Sequence, residues 1–241
     1  MRLDKFLASA GEYSRKEVKV LLKGKRVTVD GEIVTDPGVH IEPEKNIVAL
    51  DGAKLKYKPF VYFMMNKPAG CITATEDSRE RTVMEYVPEE FLHFLPFPVG
   101  RLDKDTEGLL IFTNDGQLTH KLLSPKKKVP KIYHALVEKA VSEKDIAAFR
   151  EGIYIDEDDY TTLPGDLRVI EEGENPLCEV TIYEGKFHQV KRMFEKCGNR
   201  VLYLNRRKFA GIAIDDDLPP GGVRELTPEE ETVLRGCFNN E

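Results

Sequence analysis

The chain has 241 residues, of which 41% are hydrophobic and 32% charged, the make-up of a folded protein with a substantial core and not of a disordered one. No apolar run reaches bilayer-spanning length, and the start, Met1-Arg2-Leu3-Asp4, lacks the apolar core of a signal peptide, so a cytosolic protein is expected. The net charge of −6 excludes a uniformly basic nucleic-acid binder, yet the first 26 residues hold eight basic side chains against three acidic ones, an asymmetry that marks a polyanion-binding end.

Leu3, Phe6, Leu7 and Ala10 repeat at helical spacing up to Gly11. Ser14-Arg15-Lys16-Glu17 reads as a capping box opening a second helix. Val18, Leu21 and Leu22 give it a buried face, Gly24 ends it, and Arg15, Lys16, Lys19 and Lys23 fall off the apolar stripe. Val27-Thr28-Val29 and Glu32-Ile33-Val34 flank Asp30-Gly31, a two-residue hairpin signal. The residues Arg2-Leu3-Asp4-Lys5-Phe6-Leu7, Ser14-Arg15 and Gly24-Lys25-Arg26-Val27-Thr28-Val29-Asp30-Gly31 resemble the S4 RNA-binding module. The resemblance implies RNA contact through Arg2, Lys5, Arg15, Lys16, Lys19, Lys23, Lys25 and Arg26, chiefly to phosphates, which gives affinity and position but little sequence information. A solvated basic face without a ligand is the plainer alternative. Short strands are expected at Val39 to Ile41 and Ile47 to Leu50, closed by Asp51-Gly52. The Lys-rich stretch from Lys54 to Pro59 then marks a boundary, giving one domain over 1–58 and a second over 59–241.

Val61 to Met65 reads as a strand, followed by the turn Asn66-Lys67-Pro68-Ala69-Gly70, a short helix over Thr82 to Tyr86 and an apolar loop over Phe91 to Pro98. The next stretch, Gly100-Arg101-Leu102-Asp103-Lys104-Asp105-Thr106-Glu107-Gly108-Leu109-Leu110, reads as strand, exposed turn, strand, with Asp103 at a strand end where site residues often lie. Arg101, two positions before it, would then face the same way. An ordinary polar connection between core strands fits these letters equally. So does the Asp-x-Asp-x-Thr order of magnesium-dependent phosphatases with an aspartyl nucleophile, although those enzymes need a buried parallel strand before the first Asp. Here that segment is broken by Pro98, Gly100 and Arg101. The full string resembles the signature of ribosomal RNA pseudouridine synthases of the RsuA type, in which this Asp is catalytic, and Asn66 to Gly70 resembles the element that opens their catalytic domain.

Asn114-Asp115-Gly116 turns the chain into a helix carrying Leu118, Leu122 and Leu123, and Lys126-Lys127-Lys128 lies in a Pro-bounded loop. Lys131-Ile132-Tyr133-His134-Ala135-Leu136-Val137 alternates as a strand and matches the family's Lys-x-Tyr element. Ser142 to Glu151 reads as a capped helix, Asp156 to Asp159 as an acidic turn and Glu179 to Tyr183 as a strand. Glu184-Gly185-Lys186-Phe187-His188-Gln189-Val190-Lys191-Arg192-Met193-Phe194 resembles the family's second long signature. Its stripe of Val190, Met193, Phe194 and Cys197 predicts a helix with Lys186, Lys191 and Arg192 on the other face. Strands over Leu202 to Phe209 and Ile212 to Ile214, and a terminal helix opened by Pro228, complete the chain. The four cysteines (Cys71, Cys178, Cys197, Cys237) and five histidines show no disulfide or metal-ligand spacing.

With no regular βαβ alternation or Gly-rich phosphate loop, the fold class is α+β: a small two-helix-plus-hairpin module, then a domain with a largely antiparallel mixed sheet and flanking helices. The resemblance implies isomerisation of uridine to pseudouridine in ribosomal RNA, most similar to the 16S enzyme, although 23S relatives share every motif quoted. It implies Asp103 as catalytic carboxylate, Tyr133 against the target base, Lys191 as the basic partner of Asp103, and Arg101 in the gap left by the flipped uridine. It implies a monomer with ribosomal RNA as partner, no membrane, no cofactor and no metal. Two other classes stay open, a non-catalytic S4-type RNA-binding protein and the magnesium-dependent phosphatase.

Overall fold

The computed structural model describes residues 1–10, 13–55, 57 and 59–237, with the backbone alone for Arg15. Packing separates the chain into two units, Met1–Val61 with Val87–Pro96, and Tyr62–Tyr86 with Phe97–Glu241.

In the first unit the helical spacing becomes α1 (Leu3–Ala10), which buries Leu3, Phe6 and Leu7, and α2 (Arg15–Lys23), which buries Val18, Leu21 and Leu22. The capping box is present. Glu17 N–H donates to the Ser14 hydroxyl at 3.3 Å and Ser14 N–H donates to the Glu17 carboxylate at 2.7 Å, satisfying amides that a helix start leaves orphaned. Strands β1 (Val27–Val29) and β2 (Glu32–Ile33) pair antiparallel around Asp30 and Gly31. Both turn residues have positive φ, 53° and 89°, as a tight hairpin with matched twist requires. Asp51-Gly52 does not close the module. With φ of 48° and 84° it turns β3 (Val48–Leu50) into β4 (Ala53–Lys54), and the sheet runs β2-β1-β3-β4. Val39 to Ile41 is not a strand, because its backbone serves the chain start: Leu3 N–H donates to Val39 C=O and Ile41 N–H to Met1 C=O, both at 2.8 Å. A short helix, α3 (Glu89–Leu92), overlaps the start of the expected apolar loop. Gly11, and Lys56 and Lys58 of the Lys-rich stretch, lie outside the described residues.

The second unit runs β5 (Tyr62–Lys67), β6 (Phe97–Pro98), β7 (Glu107–Thr113), α4 (Gly116–Leu123), β8 (Lys131–Val137), α5 (Glu143–Glu151), β9 (Tyr154–Ile155) and β10 (Tyr160–Thr161). It continues with β11 (Asp166–Glu171), β12 (Leu177–Ile182), α6 (Gln189–Lys196), β13 (Val201–Phe209), β14 (Ile212–Ala213), β15 (Val223–Glu225) and α7 (Pro228–Gly236). Among the described residues the main sheet has nine strands, ordered β11-β12-β8-β13-β7-β5-β15, with β14 added to β13 and β6 to β7. Its pairings are antiparallel except β13 with β7, so the α+β architecture is as expected. Tyr62 to Met65 and Leu109 to Phe112 are buried at every position, the pattern of central strands covered on both faces. Asp115 caps α4 by accepting from Leu118 N–H at 2.9 Å, and its other oxygen accepts from the Tyr62 hydroxyl at 2.8 Å. The parallel contact needs a glycine: Gly108 has φ 97°, and a Cβ there would stand 2.4 Å from the Arg206 carbonyl oxygen.

Candidate active site

Asp103 does not sit at a strand end. β6 stops at Pro98, Val99 N–H makes a last sheet bond to Ile111 C=O at 2.7 Å, and Gly100 with φ 79° takes the chain off the sheet, so residues 101–103 are irregular and β7 begins only at Glu107. A loop is therefore the platform, and it is built against the segment after β5. The Thr73 hydroxyl donates to Leu102 C=O at 2.8 Å and accepts from Leu102 N–H at 3.1 Å. Gly70 N–H donates to Lys104 C=O at 2.8 Å.

Below them lies Lys67, fully buried. Its ammonium donates to the carbonyls of Pro68 (3.0 Å), Asp103 (3.1 Å), Lys104 (3.4 Å) and Thr106 (2.9 Å). Burial holds its pKa below the ordinary lysine value, because charge is costly away from water. The sequence places Lys67 in the Asn-Lys-Pro turn without a role. The one local signal is a lysine ending a strand whose first four residues are apolar.

The Asp103 carboxylate, about a quarter exposed, faces two groups from the start of α6: Lys191 Nζ at 3.4 Å and His188 Nε2 at 3.6 Å. Lys191 also donates to Asp105 at 2.6 Å, and that bond holds the Asp105 carboxyl below its ordinary value. Lys191 therefore joins the two acids of the loop. Sequence reasoning missed both Asp105 and His188, since each becomes relevant only through contacts across 85 or more positions of chain. Lys186 is not on α6 as expected. His188 adopts a left-handed backbone, φ 49° and ψ 30°, so the helix starts at Gln189. Arg192 is engaged elsewhere, with Asp158 at 2.6 Å and Glu157 at 3.2 Å. Lys196 joins the same acidic turn at Glu157, 2.9 Å away, and these contacts hold Glu157 down at about 2.

One cleft is lined by Arg101, Asp103, Thr106, Tyr133, Lys186 and His188, among others, so Arg101, Asp103 and Tyr133 come together although no strand carries the first two. Tyr133 follows the alternation of β8, in which Lys131, Tyr133, Ala135 and Val137 are buried. Arg101 lines this cleft and forms no ion pair among the described residues. Behind Tyr133, buried Lys131 and Arg206 both approach the Phe209 ring, at 5.5 and 4.9 Å from its centroid, and burial pushes Lys131 down to about 8. The arrangement offers a carboxylate, a primary ammonium and an aromatic wall to a planar ring. A buried parallel strand leading into the first Asp, the phosphatase geometry, is not what precedes Asp103.

The family model described as RNA pseudouridylate synthase matches residues 61–196, and the S4 domain model matches residues 1–47. The chain belongs to the RNA pseudouridylate synthase family. This synthase is 47% identical to the RNA pseudouridine synthase YtzG of Bacillus subtilis over 97% of its own length and 98% of the relative's. It is 40% identical to the ribosomal small subunit pseudouridine synthase A of Pseudomonas aeruginosa and 41% to that of Escherichia coli, each over 95% of this chain and 98% of the other. A crystal structure of a pseudouridylate synthase superposes with TM-score 0.68 and 34% identity, covering 97% of the synthase and 99% of that chain. In the S4 part, Lys5, Lys16, Lys19, Lys23 and Lys25 are exposed. Arg2 pairs with Asp4 at 2.8 Å and Arg26 with Asp51, while the Arg15 side chain lies outside the described residues.

Proposed function

We propose that this enzyme isomerises a uridine of 16S ribosomal RNA to pseudouridine, with residues 1–58 holding RNA and residues 59–241 carrying the chemistry. The observation that carries the site assignment is the Asp103 carboxylate 3.4 Å from the Lys191 ammonium in a cleft walled by Tyr133. The reaction breaks the glycosidic C–N bond, turns the uracil and joins it through carbon, so nothing is consumed. Asp103 is the carboxylate that drives bond breaking, Lys191 sets a positive charge beside it, Tyr133 lies flat against the extruded base, and Arg101 fills the space the base leaves. The names of the Pseudomonas and Escherichia relatives support the 16S target. No helix among the described residues is long and apolar enough to cross a membrane, and we place the enzyme in the cytoplasm as a monomer.

Mapping pseudouridines in ribosomal RNA from a strain lacking the gene tests the target. One position missing from 16S RNA is the expected result; a loss confined to 23S RNA would move the target to that molecule.

Lys191→Met should slow single-turnover pseudouridine formation about 10²-fold, the scale of a lost electrostatic contact at a reacting group. Asp105→Asn should change it less than about three-fold, because the Asp105 end of that pair is 72% exposed and ion pairs to exposed carboxylates contribute little. Equal effects would move the role of Lys191 from Asp103 to loop structure.

Replacing Lys16, Lys19 and Lys23 together by Gln should weaken RNA binding and flatten the slope of log affinity against log salt by about 0.7 to 0.9 per lost phosphate contact. An unchanged slope would remove α2 from the RNA interface.

A further inference from the structure

The turn between β12 and α6 holds an aromatic pair that the proposed chemistry does not use. Phe187 stacks on His188 with ring centroids 3.8 Å apart and planes 17° from parallel, and His188 reaches Asp103 at 3.6 Å. Phe187 is nevertheless 66% exposed, so one face of its ring is fixed and the other is open. A lone exposed phenylalanine needs no explanation, but this one has three further features. The left-handed backbone at His188 is a conformation that non-glycine residues adopt at a cost and that concentrates at functional sites. It sends neighbouring rings out of the turn as a stack beginning at the Asp103 carboxylate. The main chain holding the stack is anchored, since Arg192 donates to Phe187 C=O at 3.4 Å while bound to Asp158. Finally, Lys186 and His188, on either side of Phe187, both line the Asp103 cleft, so Phe187 is carried between two residues of that cleft.

Resting on the reading that Asp103 acts on an extruded uridine, we propose that the open face of Phe187 is a stacking subsite for the nucleobase next to that uridine in the RNA. Extrusion strips a stacking partner from each neighbouring base, at a cost of a few kcal/mol. A ring already held in place can replace one partner without being ordered on binding. Stacking is tolerant of base identity because every base has a π-face, so the subsite recognises an unstacked base and not a sequence. The stack then runs base, Phe187, His188, and ends on Asp103.

The test uses the full-length enzyme and synthetic RNA spanning the uridine that wild type modifies in transcribed 16S RNA. Phe187→Leu should lower kcat/KM by roughly 5- to 100-fold, the range of one base stacked on one aromatic ring, with an unchanged melting temperature. Phe187→Tyr, which keeps the ring, should stay within about three-fold of wild type. An abasic residue on one side of the target uridine should slow wild type by the same factor and leave Phe187→Leu no slower than before. The proposal is overturned if Phe187→Leu matches wild type on intact RNA. It is also overturned if the deficit of Phe187→Leu persists with either neighbour abasic, which would make Phe187 a support for His188 alone. A wild type that forms no pseudouridine in any ribosomal RNA would overturn the proposed function and this subsite with it, a result distinct from an active wild type unaffected at Phe187.

Discussion

Asp103→Asn should abolish pseudouridine formation, a loss of about 10³-fold or more, while leaving the fold intact. The amide keeps the volume of the carboxyl group and occupies the same partly exposed place between Lys191 and His188. It has no negative charge, so it can neither attack nor accept a proton at the sugar or base. The loop does not depend on the carboxylate for its shape. Leu102 is held by Thr73, and the Asp103 carbonyl, not its side chain, bonds to Lys67. The melting temperature should therefore move by no more than about 2 °C, as for a substitution outside the core. Single-turnover assays and thermal unfolding of one preparation check both halves, and turnover near the wild-type rate would end the assignment.

Lys67→Met should do two kinds of damage. Methionine is close in length and suits an apolar setting, but it leaves four carbonyls under the loop without their donor. Stranding buried acceptors costs about 1 to 3 kcal/mol each when nothing replaces the partner. Three of these carbonyls have other donors, since Gly70 N–H bonds to Lys104 C=O, Thr106 N–H to Asp103 C=O and, more weakly, the Cys71 thiol to Pro68 C=O. A net loss of about 3 kcal/mol is expected, which for a unit of this size lowers the melting temperature by about 10 °C. Below the lowered transition the enzyme should still be about 10²-fold slow, because a shift of about 1 Å in Asp103 costs that much. A melting temperature that falls while the rate per folded molecule stays at wild type would confine Lys67 to stability.

These two residues mark what a linear reading reaches. Asp103 is legible because its neighbours form one contiguous string, and Tyr133 because β8 alternates cleanly. The capping box at Ser14 and the Asp30-Gly31 hairpin are legible because each is complete within a few positions. The conformation around Asp103 is not: Val99 and Leu102 look like strand residues, and only the positive φ at Gly100 decides otherwise. Lys67 finds three of its four acceptors 36 to 39 positions away, and Lys191 meets Asp105 across 86. Arg192 reads as a free helix cation until the acidic turn folds onto it from 34 positions away. Local pattern carries the elements, whereas pairings of charge across the sheet exist only after it has assembled.

The ammonium beneath the loop also fixes the polarity of its peptide planes. In a planar trans peptide the C=O and the following N–H point in opposite directions. Because the Asp103 and Lys104 carbonyls are turned down onto Lys67, the amide hydrogens of Lys104 and Asp105 are turned away from it. The loop thus carries its negative dipole ends inward against a cation and its positive ends outward. That orientation is set during folding, so it helps to hold anionic charge near Asp103 with no rearrangement when substrate arrives.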